Sequence, residues 1–185
     1  MDVRTDKKPR DRIIEASAKL FYDHDTHSVG VDKICEVANV SKRTLYKHFS
    51  TKEILISDTI IKLGEEWFEA CSNIDSEDPV KRITHVFEMF QSMAEVPDFY
   101  GCVLMNTSVE QRDSNTLAKA VAKTFKDKLY DYFVLQGTLL EIKNPEELAE
   151  QLILLYDGCS AWIVMRHKFP QSVFRTLTIL LDSHC

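Results

Sequence analysis

Residues 31–49, VDKICEVANVSKRTLYKHF, read as two short helices joined by a tight turn. Val31, Ile34, Val37 and Ala38 give the first helix an apolar face. Asn39 follows where the chain must turn, and asparagine is among the few non-glycine residues that tolerate positive φ. Ser41 is placed to cap a second helix that runs to Phe49. On a wheel of about 100° per residue, Leu45 and Phe49 fall within roughly 40° of each other and define its buried side. Lys47 then points away from that side, with Arg43 and Thr44 beside it and Tyr46 and His48 on the flanks.

That layout suits a helix lying in a DNA major groove, whose outer side chains reach base edges. Arginine can hold guanine in two hydrogen bonds, and threonine can meet a thymine methyl or a polar edge. Flanking Tyr46 and His48 suit the phosphates that line the groove. Lys52 opens the following helix at its positive end, a poor place for a cation unless a phosphate docks there. The candidate DNA-binding residues are therefore Lys42, Arg43, Thr44, Tyr46, Lys47, His48 and Lys52. The plainer alternative for the same pattern is an amphipathic helical hairpin with a solvated basic face.

Upstream, Ile13, Ala16, Ser17, Leu20 and Phe21 mark one face of a first helix ending near Tyr22. Downstream, Ser50-Thr51-Lys52-Glu53 has the form of a capping box, with Phe49 and Ile54 as its hydrophobic staple and a long helix running to about Cys71. Asp78-Pro79 opens the next helix, whose face is Ile83, Val86, Phe87, Phe90, Met93 and Ala94, with Pro97 ending it. A short helix covers about 103–111. Ser114 or Asn115 caps another, carrying Leu117, Val121, Phe125, Leu129, Tyr132 and Phe133, with Gly137 placed to end it. Asn144-Pro145-Glu146-Glu147 starts a further helix, and a last one runs from about Gln171 to Leu181. No stretch reads as a strand. The expected fold is all-α with about nine helices: an N-terminal three-helix head over 1–52 and a helical body over 53–185.

The 185 residues include only five Gly and five Pro, which suits long helices. The net charge of −6 is uneven: residues 1–53 hold 11 Lys/Arg against 9 Asp/Glu, leaving 12 against 20 for the rest. A mildly basic head on an acidic body agrees with nucleic-acid binding by the head. The five cysteines are scattered, with no C-x-x-C pair, and read as reduced, mostly buried thiols. No histidine or cysteine grouping has metal-ligand spacing, and no nucleophile–base pair or phosphate loop stands out, so neither a cofactor nor an enzyme is expected. No apolar run approaches the roughly 18 residues of a membrane span, and the opening MDVRTDKKPR lacks the apolar segment of a secretory leader. The expected location is the cytoplasm.

The decisive segment resembles a known family. VSKRTLYKHF, residues 40–49, followed by STKEIL, residues 50–55, is similar to the signature of the TetR family of bacterial repressors, close to G-V-S-K-G-T-L-Y-x-H-F-x-S-K-E-x-L. The likeness extends upstream through Ile34 and Ala38 to Leu20 and Phe21, about a quarter of the chain. Three positions depart from it. Asn39 replaces a glycine in the turn, Arg43 replaces a small residue at the start of the recognition helix, and Gly30 stands where many members have a threonine cap. The resemblance implies a double-stranded DNA operator and a body that binds a small-molecule inducer and forms a homodimer. GCVLMNTSVE, residues 101–110, and LLYDG, residues 154–158, resemble stretches of one broad group of these regulators.

Candidate ligand-binding residues are Phe87, Phe90, Met93, Phe99, Met105, Asn106, Val109, Glu110, Phe125 and Tyr156. Aromatic and methionine stripes at helical spacing also describe an ordinary core. Asn106 and Glu110, four apart, either anchor a polar ligand or satisfy each other, and Asp157 reads as structural. The last two helices are apolar over a wider arc than one core requires, which points to a homodimer through them. The expected function is a ligand-responsive dimeric repressor released from its operator by an inducer. The alternative is a regulator without an inducer, governed by a protein partner or held constitutively on DNA.

Overall fold

The computed structural model describes residues 7–24, 26, 28–96, 101–110 and 117–184, with the backbone alone over 107–110. The described residues form nine α-helices and no strand. They are α1 (Pro9–Asp23), α2 (Val31–Ala38), α3 (Lys42–His48), α4 (Lys52–Ser72), α5 (Pro79–Ala94), α6 (Val103–Glu110), α7 (Leu117–Leu139), α8 (Pro145–Arg166) and α9 (Val173–His184). The all-α expectation holds. The chain divides into two compact units, one of Met1–Gly64 with Val103–Ala122, the other of Glu65–Cys102 with Lys123–Cys185.

In the first unit α1 packs against both α2 and α3. Its expected face, Ile13, Ala16, Ser17, Leu20 and Phe21, is buried. On α2 the inward residues are Ile34, Cys35 and Ala38. Val37, expected on that face, is 44% exposed, because an eight-residue helix against two neighbours presents only a narrow stripe to them. Leu45 and Phe49 have no exposed surface. Burying side chains of this size contributes about 1.5–3 kcal/mol each. Arg10 of α1 ion-pairs with Asp58 of α4 at 2.6 Å, and its guanidinium stands 5.4 Å over the Phe49 ring.

Local backbone chemistry explains the ends of these helices. Asn39 adopts the left-handed conformation, φ 51°, where the amides of Asn39 and Val40 donate to the carbonyls of Glu36 and Cys35 and close α2. Ser41 caps α3 by accepting from the Thr44 amide at 3.1 Å. The start of α4 differs from the expected Ser50–Glu53 box. Thr51 is the cap, its hydroxyl accepting from the Ile54 amide at 3.2 Å. The Glu53 carboxylate instead accepts from the Leu117 amide, at 3.4 Å, where α7 begins. Two adjacent hydroxyl residues offer two registers for one cap, and the distant donor at Leu117 takes Glu53 away from a local role. The positions expected to cap α7, Ser114 and Asn115, lie outside the described residues.

The second unit is organised by aromatic side chains. Phe87 and Phe133 stack at 6.4 Å, while Phe90 stands edge-on to Tyr156 at 4.4 Å and to Trp67 at 5.3 Å. Helices α5, α8 and α9 pack against one another. Asp78 caps α5 through the amides of Val80 and Lys81, and Asn144 caps α8 through the amide of Glu147, as their sequences indicate. Helix α5 stops at Ala94, ahead of Pro97, which lies outside the described residues. Lys126 pairs with Asp157 and stands 4.2 Å over the Tyr156 ring, which gives Asp157 a structural partner. Helix α8 is the one described helix long and apolar enough to cross a membrane by composition alone. Its Leu148, Leu152, Tyr156, Cys159 and Ile163 are instead packed in this core.

Cys35, Cys71, Cys102 and Cys159 are buried free thiols. Burial pushes Cys71 and Cys159 up to about 12, so both stay protonated and poorly nucleophilic.

Gly137 does not end α7. The helix continues to Leu139 and closes at Glu141, φ 59°, where the amides of Ile142 and Glu141 reach back to the carbonyls of Gly137 and Thr138. Gly137 is buried because α8 begins against it: a Cβ there would lie 3.0 Å from the Cβ of Pro145 and 3.3 Å from its Cα. Gly137→Ala is therefore expected to lower stability by about 1–3 kcal/mol through overpacking, although in an open helix the same change gains about 1 kcal/mol. Urea unfolding measures this. A variant as stable as the parent would show that the start of α8 can retreat without cost.

Candidate nucleic-acid interface

The first unit presents α3 with its Leu45 side buried and its opposite side open. Lys42, Arg43, Lys47 and His48 are exposed, and Tyr46 is 50% exposed. Of the residues that the wheel turned away from Leu45, all but Thr44 are exposed. Thr44 is half-buried, with its hydroxyl 2.9 Å from the Ser41 Oγ. That contact holds the Thr44 side chain beside the cap.

Charge around α3 is arranged less simply than its composition suggests. The Lys42 ammonium meets the Asp32 carboxylate of α2 at 2.7 Å. The hydrogen bond to Asp32, and then its charge, raise Lys42 above its ordinary value of 10.5. Lys33 and Glu36 form a second exposed pair on α2 at 3.0 Å. Gly30 is the N-cap of α2 and offers no side-chain acceptor, as its identity requires. Lys52 is the first residue of α4 and is half-buried. Asp32 was not foreseen as part of this surface. Sequence spacing carries no sign of it, since Asp32 lies in the first turn of α2 and Lys42 in the first turn of α3, and their distance depends on how the two helices cross.

The candidate ligand-binding residues are distributed differently. Phe87, Phe90 and Tyr156 are at most 2% exposed in the core of the second unit. Burial pushes the Tyr156 hydroxyl well above its ordinary range, with Cys102 and Cys71 adding to the shift, so it is a neutral donor. Met93 and Phe125 are half-buried in that unit, whereas Met105 and Asn106, also half-buried, belong to the first. Phe99 and the side chains of Val109 and Glu110 lie outside the described residues.

Comparison with known proteins follows the same division. Residues 13–59 match the bacterial regulatory proteins of the tetR family. The HTH-type transcriptional regulator UidR of Escherichia coli K12 is 36% identical over 62 residues, 33% of this chain and 32% of that protein, so this likeness spans only about a third of the relative. The HTH-type transcriptional repressor DhaR of Mycobacterium sp. GP1 is 22% identical over 176 residues, 91% of this chain and 89% of that protein. A crystal structure of a TetR-type transcriptional regulator (sav143) from Streptomyces avermitilis matches with a TM-score of 0.87 and 34% identity, covering 96% of this chain and 98% of that one. A helix-turn-helix with an open basic face, joined to a likeness of this identity over nearly the whole of both chains, places the protein in the TetR family of DNA-binding bacterial transcriptional regulators.

Proposed function

We propose that this regulator is a dimeric repressor in the cytoplasm, released from its operator by a small-molecule inducer. Residues 1–52 read DNA, and 53–185 pair two chains and respond to the ligand. The DNA reading is carried by one observation: α3 buries Leu45, with Phe49 buried just beyond its end, and leaves Arg43, Tyr46, Lys47 and His48 in the open. Arg43 and Lys47 face base edges, with Thr44 beside them. Tyr46, His48 and Lys52 engage phosphates, with Lys42 beside them on the same surface. Arg43 is longer and more charged than its counterpart in the family signature, so operator preference should diverge at the base it meets.

Pairing is supported by an exposed apolar stripe on α8. Leu154 and Met165 are 72% and 71% exposed, Trp162 is 44% exposed, and Ile179 of α9 is 58% exposed. Leu154, Gly158, Ala161, Trp162 and Met165 recur at helical spacing on one side of α8. Gly158 has nothing within 4 Å of where a Cβ would stand, which leaves room for a second helix to approach closely. Two heads related by a two-fold axis would read half-sites about 34–36 Å apart. An inducer that binds better to a chain pair with misplaced heads lowers DNA affinity by the same factor. DhaR, alike over most of the chain, is a repressor, and that favours this sign.

One observation favours regulation without an inducer. Phe87, Phe90 and Tyr156 are covered by protein and behave as core. A protein partner or constitutive occupancy then replaces the ligand.

Fluorescence anisotropy on genomic fragments tests the reading. The parent should bind a specific fragment with log K falling by about 0.9 per neutralised phosphate for each unit of log salt. Arg43→Ala and Lys47→Ala should each lose about 1–3 kcal/mol of discrimination at one base position. Tyr46→Phe and Lys52→Ala should weaken all duplexes alike. No salt-dependent binding to any fragment would sink the proposal.

Gly158→Leu tests the pairing surface. Within one chain it meets open space and removes a mid-helix glycine, a gain of about 0.5–1 kcal/mol. Sedimentation should nevertheless show a folded monomer in place of a dimer. An unchanged dimer would place the interface elsewhere.

A further inference from the structure

Lys42 sits in the first turn of α3, at the end of the helix where backbone amides concentrate positive potential. A cation there is poorly placed without a counter-charge. Asp32 supplies one from the first turn of α2, where a carboxylate is itself well placed. Both side chains remain largely open to solvent, at 58% for Lys42 and 80% for Asp32. The pair therefore lies on the open surface of the helix-turn-helix and not in its core. If α3 enters a major groove, the phosphates beside the groove compete with Asp32 for the same ammonium. A phosphate that wins the ammonium leaves the Asp32 carboxylate without its partner and close to another negative charge.

We infer that Asp32 is a positioning residue that holds Lys42 away from the DNA backbone and so tempers the sequence-independent affinity of the head. The inference rests on the DNA-reading role proposed for α3. Its effect falls on phosphate contact alone. Arg43 and Lys47, which carry base reading, have no part in the pair. Asp32 thus sets how tightly the head holds any duplex, and the outer face of α3 sets which duplex it prefers.

The probe is a fluorescein-labelled duplex of mixed sequence, titrated with the intact protein across a salt series. Asp32→Asn should bind about two- to fivefold more tightly, the range released by opening one exposed ion pair. Its log K against log salt should steepen by about 0.9, one further phosphate neutralised. Asp32→Ser, run beside it, should do the same, and circular dichroism checks that both remain helical. In a Lys42→Ala background the steepening should vanish. Unchanged affinity and slope in both variants would overturn the inference. So would an equal steepening with and without Lys42, since Asp32 would then act as a general surface charge. If the parent itself shows no salt-dependent binding, the reading of the head fails and takes this inference with it. If the parent binds and the variants match it, only the role of Asp32 is lost.

Discussion

Everything that the head presents depends on the burial of two side chains, Leu45 and Phe49. Once they are fixed against α1, the rotation of α3 about its own axis is fixed too, and so is the set of residues that faces outward. Arg10 reinforces this from the far side, covering the Phe49 ring while it ties α1 to Asp58 of α4. The exposed ion pair itself contributes little, since such pairs are worth about 0–1 kcal/mol. Its value is geometric, because one side chain of α1 reaches both Phe49, at the end of α3, and Asp58 of α4. Recognition chemistry on the surface is thus a by-product of core packing on the opposite side of the same short helix.

The second unit makes a contrasting use of similar residues. Its aromatic side chains are buried among themselves, edge to face and stacked, leaving few on the surface. The large apolar groups that remain outside are concentrated on α8, α9 and the end of α7. A helix apolar on more than one side needs more than one neighbour. Helix α8 has its core on one side, and its other stripe is opened rather than closed by a glycine.

Much of this was legible in the sequence because it is local. The caps at Ser41, Asp78 and Asn144, the left-handed turn at Asn39 and the two faces of α3 depend on residues within a few positions of each other. What the sequence concealed was set by neighbours far along the chain. Gly137 has the identity of a helix terminator and serves as a contact surface for Pro145, while the left-handed terminator is a glutamate. Glu53 has the spacing of a capping box and bonds to Leu117. Lys42 has the look of an open cation and is paired with the first turn of α2. The candidate ligand residues show the same limit, since periodicity marks a side chain as inward without separating a filled core from a cavity wall.

The order of contacts along the chain has a kinetic side. The helices α1, α2 and α3 follow one another and pack on one another, so their contacts close only short loops. In the second unit α5 must find α8 and α9, with α6 and α7 intervening in the chain. Loop-closure entropy rises with each doubling of separation by about 0.6 kcal/mol, and local topologies fold faster. The helix-turn-helix can therefore gather while its chain is still being synthesised. The core of the second unit must wait for the last helices to emerge. Until then the apolar faces of α5 and α7 lack the helices that cover them, and this stretch of the chain carries the greater exposure to misassembly.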